Sequence, residues 1–179
     1  MKRGAIAMTW LLLLVWTGHA RSQSAPSTDA QMLGVVFVAN QAEIAAGNLA
    51  LSRTRSASLQ AYARRIVAEH GQVNQEIVAL TQGLGAQPQR SAISDALTKQ
   101  SAEDLARLDD TGIYNFDEAY LDRELVYLKR LVNTVDDYIR STASADVRTL
   151  FVRARPSFIL QLDQAQRLKL TVGSPGLNR

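Results

Sequence analysis

His70 is the one histidine beyond the first twenty residues, and it sits in an apolar run. Leu59, Tyr62, Ile66, His70, Val73, Ile77, Leu80 and Leu84 follow one another at steps of three or four. That spacing is one face of an α-helix, so the imidazole is expected to point inward. Glu43 shares a face with Val36, Gly47 and Ala50. Gln161 is the midpoint of Val147, Phe151, Ala154, Phe158, Gln161, Ala165, Leu168 and Val172, and Glu124 flanks a stripe made of Leu121, Leu125 and Leu128. An imidazole and carboxylates from facing helices are the raw material of a metal centre. His70, Glu43, Glu124 and Gln161 are therefore the candidate ligands, with iron, manganese or zinc as the candidate ion.

The opposing expectation is that no cofactor is bound. One imidazole and one carboxylate cannot fill roughly four to six coordination positions. A Glu-x-x-His pair is missing, because the residue three before His70 is Val67. On this reading His70 is a hydrogen-bonded core histidine, and Glu43 reaches solvent or meets a tyrosine hydroxyl. His70→Leu is then tolerated, provided no buried partner is left unpaired. Catalytic signatures are otherwise lacking. The chain has no cysteine, no Gly-x-Ser-x-Gly, no phosphate-cradling glycine loop and no calcium loop. No residue is assigned a catalytic role.

These side chains must be positioned by helices, since no long stretch alternates with period two. The first helix is expected over about 29–54, with Val35, Ala39, Ala42, Ala46 and Leu49 on one stripe and Phe37, Ile44 and Leu51 on a second. Apolar over most of its girth, it should lie deep in the fold. A second is expected over about 56–84, ended by Gly83, Gly85 and Pro88. A shorter, mostly polar third spans about 94–108. The fourth runs over about 117–141, with Asp117 and Glu118 opposing the positive end of its dipole. The fifth runs over about 145–172, with a kink or restart expected at Pro156. Four long helices with short connections imply an all-α, up-and-down four-helix bundle, with the short helix in the crossover between the second and third long ones.

Residues 1–20 read as a cleaved secretory signal: Lys2 and Arg3, an apolar run from Ala5 to Trp16, then Gly18 and Ala20 as the small pair before the cut. Ala25 is the second choice. Twelve apolar residues at about 1.5 Å each do not cross a hydrocarbon core of about 30 Å. Residues 21–28 read as a flexible leader, 29–172 as the folded domain and 173–179 as a flexible tail. An exported, periplasmic protein is expected.

The 179 residues, 46% of them hydrophobic, suit one domain with a real core. Taking Lys2 and Arg3 from 20 basic residues leaves 18 against 17 acidic ones, which is no footprint for nucleic acid. Charge is uneven, however. Eight acids lie between Glu103 and Glu124, and Arg148, Arg153, Arg155, Arg167 and Lys169 outnumber the acids near the C-terminus. Either these are solvated faces, or they dock an unidentified protein or an anionic envelope component.

Several segments carry a family resemblance: Ala42-Glu43-Ile44, Gly47-Asn48-Leu49-Ala50, Tyr62-Ala63, Ile66-Val67-Ala68-Glu69-His70, Phe116-Asp117-Glu118-Ala119-Tyr120, and Pro156 with Ala165 and Leu168. Over about 31–170 the chain resembles the bacterial domain of unknown function 4142 family. The resemblance implies a ferritin-like helical fold and an outer-membrane label, although a transmembrane barrel would need alternating strands that this chain lacks. It also implies three inward histidines, of which the first matches His70 while the second falls on Leu128 and the third on Gln161. Leu has no lone pair and a Gln carbonyl is a weak ligand for transition metals. The expectation is a non-enzymatic exported binding or interaction protein with a degenerate histidine site. The alternative is a ferritin-like metal protein, an oxidase or peroxide handler using His70 and Glu43.

Overall fold

A computed structural model describes residues 27–83 and 87–172. The expected signal, nearly all of the leader, Gly85 and the expected tail lie outside the described residues. Five helices and no strand occur among the described residues: α1 Asp29–Arg53, α2 Ala57–Gly83, α3 Ala92–Asp109, α4 Phe116–Ser141 and α5 Ala145–Val172. Each agrees with its sequence-based span to within about two residues, which is the fraying expected of any helix end. α5 does not restart at Pro156. Proline deprives one carbonyl, four residues back at Val152, of its helical donor, and Val152 is exposed, so water can take its place.

Local chemistry sets the boundaries. Thr28 and Gln31 cap α1 reciprocally, and Ser91 and Ser94 do the same for α3. Three-residue connections join α1 to α2 and α4 to α5, too short for anything but antiparallel neighbours. Asp29 at the head of α1 accepts from the Thr142 hydroxyl at 2.5 Å and the Ser144 N–H at 3.0 Å, holding the α4–α5 turn. At the other end, Arg53 donates to the Asp109 and Thr111 carbonyls at 2.7 and 2.6 Å and stacks over Phe116. Both ends of α1 are thus tied to connections elsewhere in the chain.

α1 packs along α2 and α4 along α5, while α2 meets α5 and α1 meets α4. α3 lies on α1 and barely touches α4. The apolar interior falls into two clusters. One holds Leu33, Val36, Ile77, Val135, Phe151 and Phe158; the other holds Leu59, Ile66, Phe116, Tyr120, Leu121 and Ala165. Each of the four long helices runs from one cluster to the other, and each carries polar side chains where it crosses between them.

By length and hydropathy alone α1 could cross a membrane. Here it is a core helix whose buried face carries Asn40 and Glu43 beside its apolar residues. Its small residues are set by close approach. A Cβ on Gly34 would lie 2.0 Å from the Gln89 carbonyl oxygen, so the segment before α3 rests directly on this backbone. Replacing Gly34 by Ala gains up to about 1 kcal/mol of helix propensity, but the overpacking costs about 1–3 kcal/mol. Gly34→Ala is therefore expected to destabilise the protein in a urea melt; equal or greater stability would show that the 87–90 segment does not rest on α1.

Candidate functional site

The polar side chains between the two clusters form two linked networks. His70 stands at the centre of the first, fully buried, with the Phe158 ring stacked on it at 5.1 Å between centroids. Its Nδ1 lies 2.8 Å from Asn40 Oδ1. Asn40 Nδ2 donates to Asn74 Oδ1 at 2.9 Å, and Asn74 Nδ2 donates to the Phe37 carbonyl at 3.3 Å. A backbone carbonyl only accepts. Both amides on this side are therefore oriented by the Phe37 oxygen, and Asn40 must present its oxygen to the ring. The proton of the neutral imidazole is consequently on Nδ1.

On the other side, His70 Nε2 lies 3.0 Å from Gln161 Oε1. Gln161 Nε2 donates to Glu69 Oε2 at 2.9 Å, and the Ser157 hydroxyl donates to the same carboxylate oxygen. Arg65 donates to the other oxygen of Glu69 at 2.5 Å. Burial works against the charge on Glu69, but hydrogen bonds from Ser157, Arg65 and Gln161 outweigh it and hold its pKa below the ordinary value. With the amide oxygen of Gln161 turned to the ring, both imidazole nitrogens face acceptors, which suits the imidazolium. Burial lowers the pKa of His70 against the pull of Glu43, Gln161 and Glu69. The Glu69 carboxylate only accepts and so fixes Gln161 in this orientation; a neutral ring leaves Nε2 and the Gln161 oxygen as facing acceptors.

Arg123 organises the second network. Its NH1 donates to Glu43 Oε1 at 2.7 Å and to Glu124 Oε1 at 2.6 Å, and its plane lies 4.5 Å from the centre of the Tyr127 ring. Both glutamates are fully buried and Arg123 is nine-tenths buried. The Tyr62 hydroxyl donates to Glu124 Oε2 at 3.2 Å. Burial, reinforced by Glu43, pushes the pKa of Glu124 far above the carboxylate range against the opposing pull of Arg123. Glu124 is thereby disposed toward its protonated form, and the guanidinium is shared by the two carboxyl groups. Burial opposes the charge on Arg123, but the two glutamates hold its pKa above the ordinary value. Tyr62, Tyr120 and Tyr127 stay protonated as well, mainly through burial.

The family model described as Domain of unknown function (DUF4142) matches residues 16–168. The chain belongs to this family. The match to DUF4142 spans every member of both networks. No curated protein and no solved structure matches the chain.

Of the four sequence-predicted site residues, His70 and Gln161 meet directly, and Glu43 and Glu124 meet through Arg123. All four are fully buried, as is Leu128. The fit to a metal is poor. Among the described residues no three His, Asp or Glu side chains converge on one point. One nitrogen of His70 is taken by Asn40, and a guanidinium already occupies the cation position between the glutamates. The expected solvent path for Glu43 is absent, since the residue is fully buried and its charge partner is Arg123.

Asn40, Asn74, Glu69 and Arg123 escaped the sequence reading. Asn40 was detectable, for it completes the steps of four and three in Val36, Asn40, Glu43, Gly47 and Ala50. Arg123 lies three and four residues from Tyr120 and Tyr127 on the same face, but it reads as one more surface charge in an acidic run. Four of the five basic residues of α5 are paired, Arg153 with Glu76, Arg155 with Asp136, Arg167 with Asp163 and Lys169 with Asp122, while Arg148 donates to the Ile139 and Thr142 carbonyls.

Four predictions test these networks. His70→Leu would leave the Asn40 and Gln161 amide oxygens without a buried partner. The tolerance expected for an isolated core histidine is thereby replaced by destabilisation of about 1–3 kcal/mol per orphaned group, measurable by chemical denaturation. Nitrogen-15 spectra of the ring at neutral pH should show Nδ1 protonated. Because burial depresses the pKa of His70, its contribution to stability is present above the ordinary histidine value and falls as pH drops through the folded one. Wild type should therefore lose more stability on acidification than His70→Gln; equal losses would contradict the burial argument.

Arg123→Leu should cost about 3–5 kcal/mol, because it leaves a charged glutamate buried alone. Adding Glu43→Gln should recover part of that loss. A single variant as stable as wild type would show that the guanidinium is not the counter-ion.

Proposed function

We propose that this DUF4142 protein is an exported, non-enzymatic, ferritin-like four-helix bundle that acts in the bacterial periplasm by binding or structural interaction, with residues 1–20 removed as a signal. The pairing of α1 with α2 and of α4 with α5, joined by three-residue turns, supports the bundle, with α3 as the added helix in the crossover. One observation carries the functional reading. The polar groups of the interior are turned on one another: Asn40 and Gln161 on the two nitrogens of His70, at 2.8 and 3.0 Å, and Arg123 between Glu43 and Glu124. An interior arranged this way offers no donor set for a resident cofactor, which leaves the surface to do the work. The partner is a protein or envelope component, met without nucleic-acid binding.

The competing reading is a metal-binding oxidase or peroxide handler. It draws on one feature, the buried Glu43 Oε2, which has no hydrogen-bond partner. Metal analysis of protein purified from its own compartment separates the two. Substoichiometric iron, manganese and zinc, unchanged in His70→Ala, is the expected result. A stoichiometric metal lost in that variant would overturn the proposal.

A further inference from the structure

The thin contact between α3 and α4 leaves a cleft of about 440 Å³. That is the size of a small-molecule site and too small for a folded partner. Its walls are of two kinds. Leu108, Val126 and the Tyr127 ring supply apolar surface, and Val126 is half exposed. Arg107, Arg123 and Arg130 supply cations. Arg107 is matched by Asp104 on its own helix. Arg130 has no ion-pair partner among the described residues. Arg123, nine-tenths buried, has both glutamates on NH1 and the Ala42 carbonyl at 3.5 Å on NH2, while its Nε, shielded from solvent, finds no hydrogen-bond partner.

An orphaned guanidinium N–H at this depth is costly, and it belongs to a residue lining the cleft. Three arginines against one carboxylate, Asp104, give the cleft a net positive lining, so the complementary group is an anion. A planar carboxylate matches the guanidinium fork. Beyond Asp104 and Arg130 a second cavity of about 70 Å³ continues between α1, α3 and α4, against Val35, Ala39, Leu97 and Leu131. It is narrow and mainly hydrocarbon-lined, the shape of a slot for an alkyl chain.

We propose that the α3–α4 cleft binds a small anionic amphiphile, a medium-chain carboxylate whose head meets Arg123 and Arg130 and whose tail enters the slot beside Leu97. This rests on the reading of the chain as a binding protein and names its ligand class. It places the ligand outside the His70 network. A divalent cation is disfavoured by the sign of the lining charges, and a neutral lipid would leave the guanidinium groups unanswered.

Octanoate is the probe, titrated calorimetrically at low salt with binding mapped by amide chemical shifts. Octanol keeps the tail without the charge, acetate the charge without the tail, and octylammonium reverses the sign. Octanoate is expected to saturate one site, with shifts confined to α3, α4 and the Val35–Ala39 turn of α1. Octanol and acetate should each bind at least about tenfold more weakly, a loss of about 1.4 kcal/mol, and octylammonium should not bind. Arg130 is exposed, so Arg130→Gln should fold normally and weaken octanoate about tenfold. Leu97→Trp, which fills the slot, should weaken octanoate but not acetate. The proposal is overturned if octanoate fails to saturate, binds no better than octanol, shifts residues elsewhere, or is indifferent to Arg130→Gln. None of those results bears on metal content, so failure here and failure of the functional reading are read from separate measurements.

Discussion

Arg123 carries a full charge into the middle of a helical protein, and the interior is arranged to answer it. A lone charge in such a place would cost several kcal/mol even after relaxation. The cost is met by Glu43 from α1 and Glu124 from α4, with Tyr62 from α2 donating into the same group. Three long helices are thereby joined through one guanidinium. The amides and imidazole of the neighbouring network extend the joint to α5 through Gln161. Two apolar clusters lie on either side. A slip of any long helix by one turn would move a polar residue into an apolar cluster and leave its partner orphaned. The polar layer therefore sets the register of the helices, which apolar packing alone specifies weakly.

The same arrangement accounts for what replaces a ligand cluster. Where the family resemblance implies further histidines, this chain has Leu128 and Gln161. Leu128 is buried, and Gln161 serves His70 as a hydrogen-bond partner rather than as a ligand to an ion. Gln161 suits this role because its amide has one accepting and one donating end, with the nitrogen going to the Glu69 carboxylate and the oxygen to the ring. In this chain the centre is a polar joint in which both nitrogens of His70 are hydrogen-bonded.

α3 has a different character. Only Ser94 and Leu108 of its eighteen residues are buried, and it leans on α1 rather than closing against α4. An element so weakly committed to the core leaves space beside it. Arg123 connects that space to the polar layer, because one guanidinium both lines the cleft and anchors the two glutamates.

The sequence by itself determined the helices and the inward direction of His70 and Gln161, while it left Glu43 between interior and solvent and placed Glu124 beside an apolar stripe. Both follow from periodicity, since a side chain's face on a helix depends only on its offset from its neighbours. The caps at Thr28 and Ser91 are equally local. Pairing was not legible. Whether Glu43 meets solvent, a tyrosine or an arginine depends on which helix lies opposite and at what height, and that is set by contacts between residues about eighty positions apart. The tertiary structure alone decided that Arg123 is an internal counter-ion, that Asn40 and Asn74 orient the imidazole, and that α3 stands off from α4. Each is a property of two or more helices in register, and no single helix carries that information.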